Sequence, residues 1–441
     1  MFDEIIEKIK PYLKNNEAYL TGGYIRDLIC GKISKDRDIA VKASNLREIA
    51  KKITHEFEAS FVELDNENEI YRVVFGENYV DFARLVNNSL QDDIERRDFT
   101  INSIMYDINN DKFIDKAGGR KDFENKIIRT FKISNLSDDY LRMLRAVRFQ
   151  SILGFKIDDN ILDFIKENGK NLLKIAPERI HYELIKIFEG EFLEKAVLTM
   201  DETGLLEVIF PVFKEIKKIP ANSHHHLDLF HHLIETVKNI RINKPELKIA
   251  AFLHDIAKPD CWTIEQDTGR HRFIGHDEAG SKKVIPILKE LKFSNRQIEY
   301  ISKMIKYHIY PSALMSQKDK TDKAIIRFIG KIGKDTPDLI ELARADRLSA
   351  RGEAVTDDMV KENLFNLELL NKKYEEISPK LKKLPKLIDG NKIMEILQIP
   401  PSSKLKKIIE EIKELQLEGK INTENDAVNY IKSFKSEKLN Q

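Results

Sequence analysis

The chain has 441 residues, enough for about three domains, and its 74 basic and 73 acidic side chains leave a formal net charge of +1. This balance excludes a global basic field, so a nucleic-acid partner would have to bind to local patches. The two cysteines, Cys30 and Cys261, argue against a disulfide framework and fit a reducing compartment. The N-terminal segment has no signal-peptide core and no apolar run is long enough to span a membrane, so we expect a cytoplasmic protein without a membrane partner.

Residues 1–16 are predicted to form an amphipathic helix, and a strand, a tight turn and a second helix follow. A Gly22-Gly23 pair separates the strand from a helical segment that contains Arg26 and Asp27. Paired glycines at the N-terminus of a helix allow backbone N–H groups to approach a phosphate closely. The pattern therefore predicts that these four residues belong to a nucleotide-binding turn.

Two carboxylates follow this turn. Asp36 and Asp38 occupy alternating positions of a predicted strand, so both are expected on one face of it. Two carboxylates beside a phosphate-binding turn suit a pair of magnesium ions and in-line nucleotidyl transfer. Taken singly, the glycine pair can be an ordinary turn and the Asp-x-Asp pair a solvated strand end. Their combination at this spacing is far more specific.

The stretch from Tyr19 to Val41 resembles the nucleotidyltransferase superfamily that includes DNA polymerase beta. Within it, the stretch is most similar to the class II tRNA nucleotidyltransferases and the bacterial poly(A) polymerases. The resemblance implies catalytic roles for Asp36 and Asp38, with Mg²⁺ as the cofactor. It also implies an α+β fold with a polymerase-beta-like mixed sheet at the N-terminus, followed by all-helical neck or body, HD and tail domains.

The next segments fit a small mixed sheet. A helix is predicted over 45–57, and strands are predicted around 61–64, 71–75 and 79–82. Asp81, on the last strand, is either a third carboxylate of the site or a strand-end acid.

A second motif occupies residues 92–107, where RRDFTINSI resembles the corresponding motif of the class II enzymes. The resemblance implies that Arg96, Arg97 or both contact the triphosphate or ribose, a role that suits the planar guanidinium. Without the resemblance, an exposed ion-pair cluster would be favoured. Residues 107–130 resemble the third motif, in which Gly118-Gly119 is either a hinge or an ordinary turn.

The segment DDYLRMLRAVRF places Asp139 and Arg142 three residues apart on a predicted helix, and Arg145 and Arg148 continue at the same step. An exposed charged face is the ordinary interpretation. The segment also resembles the Glu-Asp-x-x-Arg motif, with Asp138 in place of the glutamate. This implies that Asp139 and Arg142 bond the Watson–Crick edge of CTP or ATP, whose amine lies beside an acceptor. We predict that Arg145 and Arg148 help to seat the base.

Residues 151–215 are predicted to be helical, and a series of histidines and aspartates follows. Such side chains from several helices suit a divalent transition metal. The series resembles the HD-domain phosphohydrolases, in which a bound metal activates water for phosphate-ester hydrolysis. The resemblance implies four metal ligands and two residues for a second metal or the substrate, namely His232, His254, Asp255 and Asp346, then His276 and His308.

A helix over 352–378 leads into a lysine-rich segment between 372 and 407. Such a segment is usually solvated surface, but it resembles the C-terminal module with which these enzymes hold the tRNA acceptor arm through its phosphates. We predict four domains: a catalytic head (1–135), a helical neck and body (136–220), an HD domain (221–352) and a tRNA-binding tail (353–441).

The predicted function is that of a CCA tRNA nucleotidyltransferase, which adds C, C and A to the tRNA 3′ end from CTP and ATP. An A-adding tRNA nucleotidyltransferase and a poly(A) polymerase share the same motifs and remain alternatives. In another class, the chain would be an HD phosphohydrolase with a nucleotide- or RNA-sensing N-terminal domain. The intact pair Asp36 and Asp38 argues against a sensor, which would not need both carboxylates.

Overall fold

The structure is a computed structural model that describes residues 3–29, 31, 34–222, 226–317, 321–383, 385–400, 403–417 and 419–437. The chain forms two compact units, Met1–Pro211 and Val212–Gln441. The first contains a mixed sheet and the second is mainly helical, so the predicted α+β class is confirmed. The division into four domains stays a prediction. Cys30 and part of the predicted basic segment lie outside the described residues.

The strands form one large sheet and two small ones. The large sheet has seven strands in the order β3-β4-β5-β2-β1-β6-β7, while β8 pairs with β9 and β10 with β11. Their bounds are β1 Glu17–Thr21, β2 Arg37–Lys42, β3 Ser60–Asp65, β4 Ile70–Phe75, β5 Asn78–Arg84, β6 Met105–Asp107, β7 Lys112–Ile114, β8 Ile127–Ile128, β9 Lys156–Ile157, β10 Thr263–Ile264 and β11 His271–Arg272.

Helices flank the sheet and make up the rest of the first unit. They are α1 Glu4–Leu13, α2 Gly22–Ile29, α3 Leu46–Glu56, α4 Leu90–Arg96, α5 Gly119–Glu124, α6 Asn135–Asp138, α7 Leu141–Leu153, α8 Asp159–Asn168, α9 Pro177–Glu189, α10 Leu193–Glu202 and α11 Leu205–Ile209. Short 3₁₀ helices span Val86–Asn88, Thr100–Asn102 and Gly169–Lys174.

The second unit is built from helices and the β10–β11 hairpin. Its helices are α12 Phe213–Ile216, α13 Leu229–Lys238, α14 Pro245–Leu253, α15 His276–Glu290, α16 Asn295–Tyr307, α17 Tyr310–Ser316, α18 Asp322–Ile332, α19 Thr336–Ser349, α20 Asp357–Lys383, α21 Gly390–Leu397, α22 Ser403–Leu417 and α23 Glu424–Glu437. Two 3₁₀ helices span Pro259–Cys261 and Gly333–Asp335. Among the described residues, no helix has the length and apolar character needed to cross a bilayer.

The pairing of β2 determines the geometry of the first candidate site. Strand β2 runs antiparallel to β1 and parallel to β5, so that Asp38 lies opposite Thr21 on one side and Asp81 on the other. Alternate residues of β2, Ile39 and Val41, are buried in the core under the sheet. This alternation directs Asp38 to the opposite face, as the sequence pattern predicts. The prediction that Asp36 lies on the same strand is wrong, because β2 begins at Arg37.

The prediction that Asp139 and Arg142 share a helix is wrong. Asp139 is extended, with φ −151° and ψ 100°, and lies between α6 and α7. Its Oδ1 accepts the N–H of Leu141 at 3.1 Å and its carbonyl accepts the N–H of Arg142 at 2.9 Å. Aspartate competes in this way with helical hydrogen bonding and favours the position before a helix.

Helices α7 and α9 approach each other closely at Gly190, and this contact generates a prediction. A Cβ on Gly190 would lie 2.5 Å from the carbonyl oxygen of Ser151 and closer still to its Oγ. That carbonyl accepts the N–H of Phe192 at 2.8 Å, so it cannot retreat freely. We expect Gly190→Ala to lower the free energy of unfolding by about 1–3 kcal/mol, measured by urea denaturation.

The matched control is Gly169→Ala in the same unit. A Cβ there would meet only Leu205 Cδ1 at 3.7 Å, and the backbone is in the right-handed helical region. The control should therefore unfold at the same urea concentration as wild type or at a higher one. Equal midpoints for the two variants would contradict the predicted contact.

Candidate functional sites

The first site is a cluster of carboxylates around the glycine turn. Gly22 has φ +67°, and a Cβ on it would lie 2.9 Å from Asp38 Oδ2. A Cβ on Gly23 would lie 3.4 Å from Asp36 Oδ2. Both carboxylates therefore border the backbone that opens α2, and only glycine combines this φ with this close approach. The structure brings together the turn and the two acids that the sequence singled out.

Negative charge is concentrated around the adjacent interior strands β2 and β5. Burial, together with repulsion from Asp36 and Asp81, raises the pKa of Asp38 to about 7 against the attraction of Arg97 and Arg72. Asp81 itself accepts two hydrogen bonds of 2.7 Å from Arg72. Carboxylate oxygens are the ligands that a hard divalent cation prefers, and here the carboxylates repel one another. The donor set thus fits Mg²⁺, with Asp36 and Asp38 as the residues that would hold it.

An arginine-rich cavity lies beside these carboxylates. Arg97 is close enough to lower the pKa of Asp38, and it donates to the carbonyl of Asn102 at 3.3 Å. The side chain of Asn102 accepts from Arg26 at 3.1 Å, so Asn102 joins the turn to the second motif. The cavity has a volume of about 310 Å³ and is lined by Asp93, Arg96, Arg97, Asp98, Asp139, Arg142, Arg145 and Arg179.

Ion pairs fix two of these arginines. Arg97 pairs with Asp93 at 2.8 Å, and Arg145 pairs with the buried Asp98 at 2.5 Å. Burial opposes the ionisation of Asp98, but Arg145 and hydrogen bonds from Asn102 and Phe99 keep its pKa below its usual value. The cavity therefore combines fixed guanidinium groups with the exposed Arg96 at its rim.

The two residues predicted to read the base line this cavity, and their side chains form hydrogen bonds with other groups. Asp139 accepts from Arg179, with an Nη2–Oδ2 distance of 2.7 Å. Arg142 instead donates to the carbonyl of Asn135 at 2.9 Å, and burial lowers its pKa. The sequence analysis missed Arg179, although its position in the first turn after Ala176-Pro177 at the start of α9 was a usable signal.

Two other predicted nucleotide-binding residues have partners within the protein. Arg148 pairs with the buried Glu183 at 3.2 Å and does not line the cavity. Asp27 pairs with Arg26 at 2.8 Å, and Arg26 also lies 5.1 Å from the centre of the Phe149 ring. The pairing orients Arg26, whereas direct nucleotide contacts by Asp27 and Arg148 stay predictions.

The second site, in the second unit, is a buried cluster of imidazoles and carboxylates. The Nε2 atoms of His232 and His254 lie 3.4 Å apart, and His254 Nε2 lies 3.1 Å from Asp255 Oδ2. Asp346 Oδ1 lies 3.2 Å from His232 Nε2 and 3.6 Å from His254 Nε2. The four predicted ligands therefore converge on one point, although α13, α19 and the end of α14 supply them.

Asp255 also faces two further histidines. Its Oδ1 lies 3.0 Å from His276 Nε2 and 3.7 Å from His308 Nε2, and these two nitrogens are 3.3 Å apart. Two candidate metal groups result, one of His232, His254 and Asp255 and one of Asp255, His276 and His308, with Asp255 common to both. The side chain of Asp255 is 1% exposed.

The imidazoles are oriented for metal binding. The Nδ1 atoms of His254, His276 and His308 lie 2.8, 2.6 and 2.7 Å from backbone carbonyl oxygens. An Nδ1–H donated to a carbonyl leaves the lone pair of Nε2 directed at the centre of the cluster. Lys258, which the sequence analysis also missed, lies 2.5 Å from Asp255 Oδ2.

The buried charges of the cluster shift the pKa values of its imidazoles in opposite directions. Burial disfavours charge on His254, but Asp255 and Asp346 raise its pKa to about 10. Burial and the charge on His254 lower the pKa of His308 to about 4. Both imidazoles interact with the carboxylates of Asp255 and Asp346, so their titrations are linked. Imidazole and carboxylate donors together suit a divalent transition metal.

Comparisons with known proteins agree with both sites. The profile of the Poly A polymerase head domain matches residues 18–129, that of the probable RNA and SrmB-binding site of polymerase A matches 154–217, and that of the HD domain matches 224–351. These matches cover the glycine turn, the carboxylates, helix α9 and all the imidazoles of the second site.

Relatives match over nearly the whole chain. An A-adding tRNA nucleotidyltransferase of Deinococcus radiodurans is 29% identical, over 95% of this chain and 96% of that protein. A CC-adding tRNA nucleotidyltransferase of Thermus thermophilus is 26% identical, over 95% and 93%. The fold resembles the CCA-adding enzyme of Bacillus stearothermophilus, solved in complex with CTP, with a TM-score of 0.65 and 21% identity over 98% of this chain and 96% of that one. The chain therefore belongs to the family of class II tRNA nucleotidyltransferases and poly(A) polymerases, and it is a nucleotidyltransferase with an HD domain.

Proposed function

We propose that this protein is a CCA tRNA nucleotidyltransferase, which adds C, C and A to the 3′ end of tRNA from CTP and ATP. The proposal rests on two neighbouring features of the first unit. Carboxylates that fit magnesium border the glycine turn, and a cavity with acceptor and donor side chains adjoins them. Relatives named for CC and CCA addition support this function over the alternatives.

The chain's own residues divide the work of transfer. The backbone N–H groups of Gly22 and Gly23 would bind phosphate oxygens, and Arg96 or Arg97 would hold the triphosphate or the ribose. Magnesium held by Asp36 and Asp38 would lower the pKa of the tRNA 3′-hydroxyl and neutralise charge on the triphosphate.

Base selection is assigned to Asp139 and Arg142. An ionised carboxylate only accepts hydrogen bonds and a guanidinium only donates them. Cytosine and adenine present an amine beside an acceptor, which complements this pair, whereas uracil and guanine present the reverse order. The same two side chains can therefore admit both permitted nucleotides and reject the other two.

The lysine-rich C-terminal segment is proposed to hold the tRNA acceptor arm through its phosphates. Such contacts carry no sequence information, which suits an enzyme that acts on many tRNAs. We place the reaction in the cytoplasm, with tRNA, CTP and ATP as its partners.

The HD site supports a second function, because Asp255 belongs to both of its candidate metal groups. We propose that this site binds two divalent transition metal ions, with Asp255 between them, and hydrolyses phosphate esters. The metal would supply an activated water. Lys258, beside the same carboxylate, would attract the phosphate of the substrate.

The first prediction concerns nucleotide addition. Asp36→Asn and Asp38→Asn should each lower addition to a tRNA transcript lacking CCA by about a thousandfold, because several kcal/mol of transition-state stabilisation depend on the metal ligands. The measurement uses transcripts that end before and within CCA, each with single labelled nucleotides. The exposed Glu67→Gln in the β3–β4 turn is the matched control and should retain full activity.

The products separate the alternatives. Addition of C, C and A to the shortest transcript establishes the CCA activity. Addition of A alone to a CC end would identify an A-adding enzyme, and unlimited addition of A to any RNA would identify a poly(A) polymerase. If wild type adds no nucleotide, the transferase proposal is wrong.

A second prediction follows from the raised pKa of Asp38. In the metal-free fold this carboxyl holds a proton up to about pH 7, whereas its ordinary pKa is 3.8. The proton stabilises the metal-free fold at low pH, and this contribution is lost as pH rises through the interval between those two values. Magnesium competes with the same proton, so its apparent affinity should rise about tenfold per pH unit below about 7 and then level off.

The measurement is the magnesium dependence of C addition at several pH values. Asp81→Asn should move the midpoint to lower pH, because it removes one repelling charge and frees Arg72 to attract Asp38. A magnesium requirement that does not change between about pH 5.5 and 8.5 would contradict the assignment.

A third prediction concerns the metal content of the HD site. Relative to wild type, His308→Gln should bind about one equivalent less Mn²⁺ and Asp255→Asn about two fewer, because Asp255 belongs to both ligand groups. Equilibrium dialysis with elemental analysis measures this, and hydrolysis of p-nitrophenyl phosphate and its diester reports the activity. His231→Gln, on the exposed neighbour of His232, is the control and should bind as wild type does.

Equal metal content in His308→Gln and wild type would overturn the two-metal arrangement. Metal binding without hydrolysis of either ester would leave a structural metal site and overturn the hydrolytic function. Nucleotide addition should persist in both variants, since their substitutions lie outside the first unit.

A further inference from the structure

Arg179 and Asp139 form a close ion pair on the wall of the arginine-rich cavity. Arg179 Nη2 lies 2.7 Å from Asp139 Oδ2, and its Nη1 lies 3.4 Å from Oδ1. The N–H of Leu141 donates to the same Oδ1 at 3.1 Å. Donors from two separate segments therefore determine which way this carboxylate faces.

The expected partner of Asp139 does not provide this orientation. Arg142 directs Nη1 to the carbonyl of Asn135 at 2.9 Å. In the nucleotide-free protein, the two base-reading side chains are thus held by different groups, Asp139 by Arg179 and Arg142 by the backbone. The orientation of the Asp139 side chain therefore depends on Arg179 of α9 and not on Arg142.

Helix α9 is fixed without the help of Arg179. One turn later, the buried Glu183 pairs with Arg148 at 3.2 Å, and Ser151 Oγ donates to the carbonyl of Ile187 at 2.6 Å. The guanidinium of Arg179 is therefore presented from a rigid element. Replacing it should leave α9 and the cavity wall in place.

The exposure of the pair argues against a purely structural role. The side chain of Arg179 is 52% exposed and that of Asp139 is 26% exposed. Ion pairs as accessible as this one contribute little to folding, about 0–1 kcal/mol. What the contact does provide is a fixed direction for a carboxylate in the cavity, because the planar guanidinium can engage both oxygens.

We propose that Arg179 is a positioning residue for nucleotide selection, which holds the Asp139 carboxylate in the orientation that accepts the amine of cytosine or adenine. This inference rests on the proposed transferase function. A fixed acceptor meets an acceptor when uracil or guanine enters, and that mismatch is costly because a buried polar group stays unpaired. A carboxylate that is free to rotate can turn away from the wrong base, so discrimination falls.

The test is equilibrium binding of CTP, ATP, UTP and GTP to the full-length protein with Mg²⁺, combined with single-nucleotide addition to a tRNA transcript. Wild type should prefer CTP over UTP and ATP over GTP. Arg179→Ala should reduce both preferences about tenfold, and Arg179→Lys should restore them only in part, since an ammonium lacks the bidentate fork. Lys186→Ala, which removes an exposed i,i+3 pair with Glu189 on the same helix, should keep both preferences.

A double-variant comparison separates positioning from an independent contact. If Arg179 acts through Asp139, then adding Arg179→Ala to Asp139→Ala should change the preferences no further. Preserved discrimination in Arg179→Ala, or an equal additional loss on the Asp139→Ala background, would overturn the inference while nucleotide addition by wild type upholds the proposed function. A wild-type protein that neither prefers CTP and ATP nor adds them would overturn both.

Discussion

The first site depends on repulsion between carboxylates on and beside two adjacent interior strands, β2 and β5. Asp36, Asp38 and Asp81 come together because β2 pairs with β5 in parallel register, and the burial of Asp38 intensifies the repulsion. One carboxylate is compensated by Arg72. The remaining charge is a cost to folding, and a bound divalent cation would offset it.

The buried HD cluster follows the same principle with different donors. The side chain of Asp255 is 1% exposed, Lys258 lies 2.5 Å from its Oδ2, and imidazoles approach it from two sides. Buried charged groups of this kind contribute less to stability than a well-packed hydrophobic replacement would. The backbone carbonyls that orient the imidazoles give this arrangement the rigidity of a metal centre, since they fix which nitrogen faces inward.

The arginine-rich cavity concentrates positive charge within a chain of almost zero net charge. Five arginines line the cavity with three aspartates, so its charge is positive even though the whole chain is nearly neutral. Ion pairs hold several of these guanidinium groups in place before the ligand arrives. Preorganised donors cost less to order upon binding than flexible ones, which favours affinity and specificity. The overall composition of the chain therefore does not reveal this local positive charge.

Sequence by itself determined the parts whose physical requirements are local. The glycine pair and the alternation that sends Asp38 to the face opposite Ile39 and Val41 both depend on neighbouring residues. The resemblance to the family supplied the order of the histidines. The shared role of Asp255 needed the structure, because its two oxygens face groups from helices far apart in the chain.

Only the tertiary structure decided which charges pair. Asp139 appeared to belong with Arg142 because they are three residues apart, but the backbone leaves the helix at Asp139 and turns its carboxylate toward Arg179, forty positions later. Likewise, Arg148 extends the arginine series in sequence but is buried against Glu183. Residue spacing predicts which side chains can share a face. The partner that a charge finds depends on which elements pack against that face, and long-range packing is not encoded in the spacing.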